Sequence, residues 1–206
     1  NYNSEPLVLK KKNHASIVKI PTTGWTTDSY GTISTHDEEV YDEIEQKYVK
    51  ARKVVSNNTS SGNNGARCIF VLANAVNMTT NVLRGAIKVD LDFPLASTHH
   101  INLSLYSDGQ LDNAHRAYIG LYAKSNDANY NRNGWFHFCA NIYIQSTSSS
   151  RGSSFDPTNV THIGFIANHV PNTIMNLYFT EIDILPKLDK PGLITIVDNF
   201  NPNVPA

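Results

Sequence analysis

The sequence predicts an all-β fold, an antiparallel jelly-roll-like β-sandwich with one short helix, and three observations point to it. From residue 50 onward, short stretches rich in Val, Ile, Tyr and Phe recur at regular spacing. The joints between them are built from Asn, Ser, Gly, Asp and Pro, residues whose side chains or backbone freedom favour turns. Within the stretches, apolar and polar residues alternate, as a strand with one buried face requires. No helical pattern separates these strands, so an antiparallel sandwich is favoured over a parallel sheet with crossover helices.

In chain order, residues 20–34 ("IPTTGWTTDSYGTIS") read as an irregular lead-in. Residues 34–51 ("STHDEEVYDEIEQKYVKA") supply the helix: Thr35 and Glu38 have the spacing of a capping box, and Val40, Ile44 and Tyr48 form a stripe beside acidic residues. The strands follow as "KVV", "RCIFVLA", "RGAIKVDLDF", "HHINLSLYS", "HRAYIGLYAK", "WFHFCANIYI", "VTHIGFIA" and "TIMNLYFTEIDIL". Ile101, Leu103 and Leu105 share one face of their strand, as do Ala117, Ile119 and Leu121, and Phe136, Phe138 and Ala140. The two prolines of "LPKLDKPG" mark a boundary. Residues 1–186 are therefore assigned to the sandwich, and 187–206 to a linker and the first strand of a following domain that the chain lacks. The start at Asn1 fits a piece of something longer.

Hydrophobic residues make up 40% of the chain and charged residues 17%, a composition that supports a core and excludes disorder. Seventeen basic residues against eighteen acidic ones leave no field that would attract nucleic acid or an anionic membrane. No run of about 18 apolar residues is present to span a bilayer. Cys68 and Cys139 both fall in strand-like runs. Two reduced core thiols are favoured, and a disulfide between them stays open.

The candidate binding surface is a platform of rings and polar groups on the non-core faces of two strands and their continuation: Arg116, Tyr118, Tyr122, Trp135, His137, Asn141 and Tyr143. Sugars suit such a surface, because a pyranose stacks its C–H face on an aromatic ring while amides and Arg satisfy its hydroxyls. The competing expectation is that these rings pack against the fold or another subunit. His99 and His100 point to opposite faces and cannot share one ion, so no zinc site is expected. No cofactor is assigned, although Asp28, Asp37 and Asp183 are available to a structural Ca²⁺. The serine-rich "QSTSSSRGSS" lacks a nucleophile elbow, and no catalytic residue is assigned.

The run from Gly134 to Val197, with "GWFHFCANI", "NVTHIGFIA", "YFTEIDILP" and "KPGLITIVDN", resembles the β-sandwich accessory modules that precede polysaccharide-deacetylase domains in bacteriophage tail and tailspike proteins. The resemblance implies that residues 192–198 begin a catalytic barrel. Asp198 matches the general base, whereas Asn199 stands where a metal-binding aspartate is needed, and no His-x-x-x-His pair follows. It therefore implies a chain without deacetylase activity of its own, located in a virion tail or outside the cell, meeting host-surface polysaccharide as a non-catalytic binding or domain-positioning module, within a homotrimeric spike. Two alternatives stand beside this reading: a structural oligomerisation domain without ligand, and a deacetylase fragment lacking its active site.

Overall fold

The computed structural model describes residues 16–91, 100–123, 134–140 and 151–187. The strands are β1 (Val18–Ile20), β2 (Thr26–Thr27), β3 (Gly31–Ile33), β4 (Glu38–Asp42), β5 (Lys47–Asn58), β6 (Arg67–Val76), β7 (Asn81–Leu91), β8 (His100–Ser107), β9 (Arg116–Ala123), β10 (Gly134–Ala140), β11 (Val160–Asn168), β12 (Thr173–Phe179) and β13 (Ile182–Pro186). They form two antiparallel sheets. One has eight strands, ordered β1-β13-β7-β12-β5-β3, with β10 beside β7 and β4 beside β5; the other has five, ordered β2-β6-β11-β8-β9.

The core lies between the sheets and is built from the alternating positions the sequence marks. Ile101, Leu103 and Leu105 of β8 and Ile163 and Phe165 of β11 meet Leu83 and Ile87 of β7 and Leu177 and Phe179 of β12. Each such side chain contributes about 1.5–3 kcal/mol on leaving water. The lead-in is less passive than expected, because it supplies β2, β3 and the ring at the centre of the core. Trp25 stacks on Phe165 with centroids 5.4 Å apart and meets Phe179 at 4.8 Å. Its indole N–H donates to the Pro21 carbonyl at 2.8 Å, so the ring is buried without an orphan donor.

The expected helix is corrected: residues 38–58 form a hairpin, and no helix occurs among the described residues. Tyr41 pairs with Tyr48 and Val40 with Val49 across the strands, which suits β-branched and aromatic residues. The Asp42 carboxylate accepts the backbone N–H groups of Ile44 and Glu45 at 2.9 and 3.1 Å, and Gln46 takes φ 52°, closing the turn. The acidic run that resembled a helix N-terminus is thus a turn-forming segment.

The eight-stranded sheet splits, and this positions the site. Residues 52–58 of β5 pair with β12 as far as Arg52–Phe179. There the strands part. The chain after β12 bulges at Thr180 and Glu181 and continues as β13 between β7 and β1, while residues 47–51 of β5 go on with β4 alone as an arm. At the bulge, Thr180 N–H donates to the Ala86 carbonyl at 3.1 Å, and Ala86 N–H donates to the Thr180 hydroxyl at 3.2 Å. Gly85 lies opposite Phe138, and a Cβ there would come within 2.9 Å of the Phe138 ring.

Candidate functional site

Where the arm leaves the sheet it encloses a groove of about 660 Å³. The arm side presents Asp42, Glu45, Lys47, Val49 and Lys50; the sheet side presents Arg84, Ala86, His137, Thr180, Glu181 and Asp183; Thr22 and Asp37 complete the lining. A volume of this order suits a small ligand or a few units of a polymer, for which pockets span about 300–1,000 Å³.

Three contacts hold the arm over the sheet. Val40 and Val49 pack against a small cluster of Ala51, Ala86, Trp135 and Tyr178. The Trp135 indole N–H donates to the Tyr41 carbonyl at 2.7 Å. His137 Nε2 lies 2.7 Å from the Asp42 carboxylate, and its Nδ1 is 4.0 Å from Glu45. Beside Thr22, Arg52 Nε and Asp37 Oδ1 are 2.8 Å apart as an ion pair outside in-line hydrogen-bond geometry; Asp37 also accepts the Thr22 hydroxyl, and Arg52 donates to the Ser34 carbonyl. On the sheet side, burial pushes the Asp183 carboxyl up, but the Ser16 hydroxyl and the Arg84 guanidinium outweigh it and hold the group below the ordinary aspartate range. Among the described residues Lys50 and Glu181 form no ion pair, which leaves a donor and an acceptor for a ligand.

The predicted ring platform does not assemble as one surface. Trp135 and His137 sit on β10 in the eight-stranded sheet, whereas Arg116, Tyr118 and Tyr122 sit on β9 in the five-stranded sheet. Trp135 is 8% exposed and lies under the arm, so its ring is not available for stacking. His137 is half-buried at the groove. Arg116 lies over the Tyr118 ring, 4.9 Å from its centroid. The Tyr122 side chain, Asn141 and Tyr143 fall outside the described residues, as do residues 192–198. What the sequence reading missed is the arm itself, because a helix assignment hid the strand pair that forms the groove wall.

Of the residues considered for Ca²⁺, Asp37 and Asp183 both line the groove, but each is held by an arginine, while Asp28 accepts the Tyr30 N–H. Among the described residues no three His, Cys, Asp or Glu side chains cluster as a metal site. Both thiols are free: Cys68 is buried, which pushes its thiol up to about 12, whereas Cys139 is exposed rather than in the core. Ser56 and His169 make a serine–histidine contact at 2.8 Å, yet both are fully buried, so it serves packing rather than nucleophilic attack.

No protein-family model matches the chain, and no curated protein matches it. Solved structures do. A stretch of an exo-β-agarase has a TM-score of 0.50 at 10% identity, covering 82% of this chain and 24% of that one. The family 11 carbohydrate-binding module of Clostridium thermocellum, in complex with a β-1,3-1,4-mixed-linked tetrasaccharide, has a TM-score of 0.48 at 10% identity, covering 82% and 92%. A structure from work on the promiscuous specificity of β-sandwich carbohydrate-binding modules has a TM-score of 0.47 at 13% identity; the match takes in 84% of this chain but only 63% of that one. At these identities the likeness is one of fold: an all-β sandwich.

Proposed function

We propose that the chain is a non-catalytic glycan-binding module and that the groove between the arm and the sheet holds the polysaccharide. One observation carries the reading: the split of the eight-stranded sheet leaves an open groove whose walls hold donors and acceptors together, Lys47, Lys50, Arg84 and His137 with Glu45, Thr180, Glu181 and Asp183. Sugar hydroxyls donate and accept at once, so a wall of both kinds satisfies them, and bidentate Arg and carboxylate groups fix their orientation. β-Sandwiches of similar fold include a carbohydrate-binding module solved with a tetrasaccharide. That likeness is not the support; the groove is.

The resemblance of Gly134–Val197 to accessory modules of phage tail enzymes supports a setting in a virion tail or at an extracellular surface, with host polysaccharide as partner. Several copies in one spike would raise weak single-site binding through avidity. Calorimetric titration with oligosaccharides tests the reading. Arg84→Ala and Glu181→Gln are expected to weaken binding; the thermal midpoint stays put in Glu181→Gln and falls slightly in Arg84→Ala, which removes the partner of Asp183. Binding unchanged in both variants contradicts it.

A further inference from the structure

The arm has a second face, and it carries the exposed aromatic pair of the molecule's described surface. Strand alternation places Val40, Asp42, Lys47 and Val49 toward the sheet and Glu39, Tyr41, Tyr48 and Lys50 away from it. Tyr41 is 43% exposed and Tyr48 69%, with ring centroids 5.3 Å apart in an edge-to-face arrangement. Exposed rings grouped in this way mark binding surfaces more often than isolated ones do. Lys50, on the same face as Tyr48 and two residues on, also lines the groove together with Thr22 and Asp37. The edge of the groove at Lys50 therefore adjoins the face that bears the tyrosines.

We infer that Tyr41 and Tyr48 form a stacking platform at this edge of the groove, and that the polymer held there is an uncharged pyranose chain. The inference rests on the glycan reading and assigns it a ligand class. A chain leaving the groove past Lys50 meets the open Tyr48 ring, whose apolar face matches the C–H face of a pyranose. The charge of the lining selects against acidic polymers. Of the five carboxylates in the lining, Asp37 is offset by Arg52 and Asp183 by Arg84, which leaves Asp42, Glu45 and Glu181 against Lys47 and Lys50. A polyuronate would add a carboxylate per sugar to a wall already rich in them, which opposes entry at low salt.

The test is calorimetry on the full chain with three neutral probes, oligosaccharides of mixed-linked β-glucan, xylan and agarose, and one acidic probe, polygalacturonate. At least one neutral probe is expected to bind; Tyr48→Ala should weaken it about tenfold, while Tyr48→Phe keeps the affinity. Polygalacturonate should bind about tenfold or more weakly than that probe at low salt. Unchanged affinity in Tyr48→Ala, alongside a loss in Arg84→Ala, overturns the platform and leaves the groove standing. Tighter binding of polygalacturonate overturns the ligand class. A change of sedimentation in Tyr48→Ala with sugar affinity intact would make the tyrosines an assembly face and also overturns it. If none of the four probes binds, the glycan reading falls together with the inference.

Discussion

His137 Nε2 and the Asp42 carboxylate meet 2.7 Å apart, joining β10 to the tip of a hairpin 95 residues away in sequence. Asp42 is 1% exposed and spends its other oxygen on the turn, so the pair fixes both the shape of the arm and its seat on the sheet. Removing the imidazole leaves a buried carboxylate oxygen without its partner. His137→Ala should lower stability by about 1–3 kcal/mol, toward the low end because the ring is partly in water. Hydrogen exchange should rise across residues 38–51 and stay unchanged in β8 and β11. Equal protection of the arm in the variant would show that the pair does not seat it.

Trp135 acts on the same interface from within. It is buried among Ala51, Ala86 and Tyr178 and bonded to the Tyr41 carbonyl. Trp135→Ala should therefore destabilise by about 3–5 kcal/mol, as emptying a large buried ring site does. Urea denaturation measures this. A variant as stable as the parent would place the ring outside the packed interior.

A buried polar chain pins the loop after β5. Thr173 donates to the Val170 carbonyl at 2.6 Å, so its hydroxyl accepts from His169 Nδ1 at 2.7 Å; His169 Nε2 is then an acceptor for Ser56, which itself accepts Ala66 N–H at 2.7 Å. Each hydroxyl donates once and accepts once, while Nδ1 donates and Nε2 accepts, which fixes the tautomer with its proton on Nδ1. Ser56→Ala strands both the ring nitrogen and the Ala66 amide. A loss of about 1–3 kcal/mol is expected in denaturant titration.

Stability should fall with acid in two stages. Burial lowers the His162 value below the ordinary 6.5, so under that pH the unfolded chain takes up a proton before the folded chain does. Stability is thus full above 6.5 and is lost as pH falls toward the lower folded value. Asp183, also lowered by its partners despite burial, adds stability above the ordinary 3.8 that is lost as pH falls through its folded value. His162→Gln should flatten the first stage and Asp183→Asn reduce the second, to which Asp112 and Asp156, lowered by their own hydrogen bonds, also contribute, in midpoints measured against pH. Parallel curves for His162→Gln and the parent would contradict the first assignment.

The strands from residue 67 to 185 were legible because period-two burial is a local signal: Ile101, Leu103 and Leu105 are core in sequence and in space alike. The arm was not, since Val40, Ile44 and Tyr48 satisfy a helical period as well as they satisfy a hairpin. What decided between them was tertiary: Trp135, distant in sequence, buries Val40 and Val49. The described part of the ring platform divides between the sheets for a related reason. Alternation tells which face a residue takes within its strand, but Tyr118 and Trp135 ended in different sheets, and strand order is not encoded in either segment alone. Likewise the bulge at Thr180–Glu181, which creates the groove, lies inside a stretch that reads as one strand.

The most direct test is to map backbone amide shifts of the labelled chain while the tightest-binding neutral oligosaccharide is added. Ligand seated where the sheet divides moves the signals of residues 47–51, 84–86 and 180–183 together. Shifts confined instead to β8, β9 and β11, around Arg116 and Tyr118, would contradict that placement.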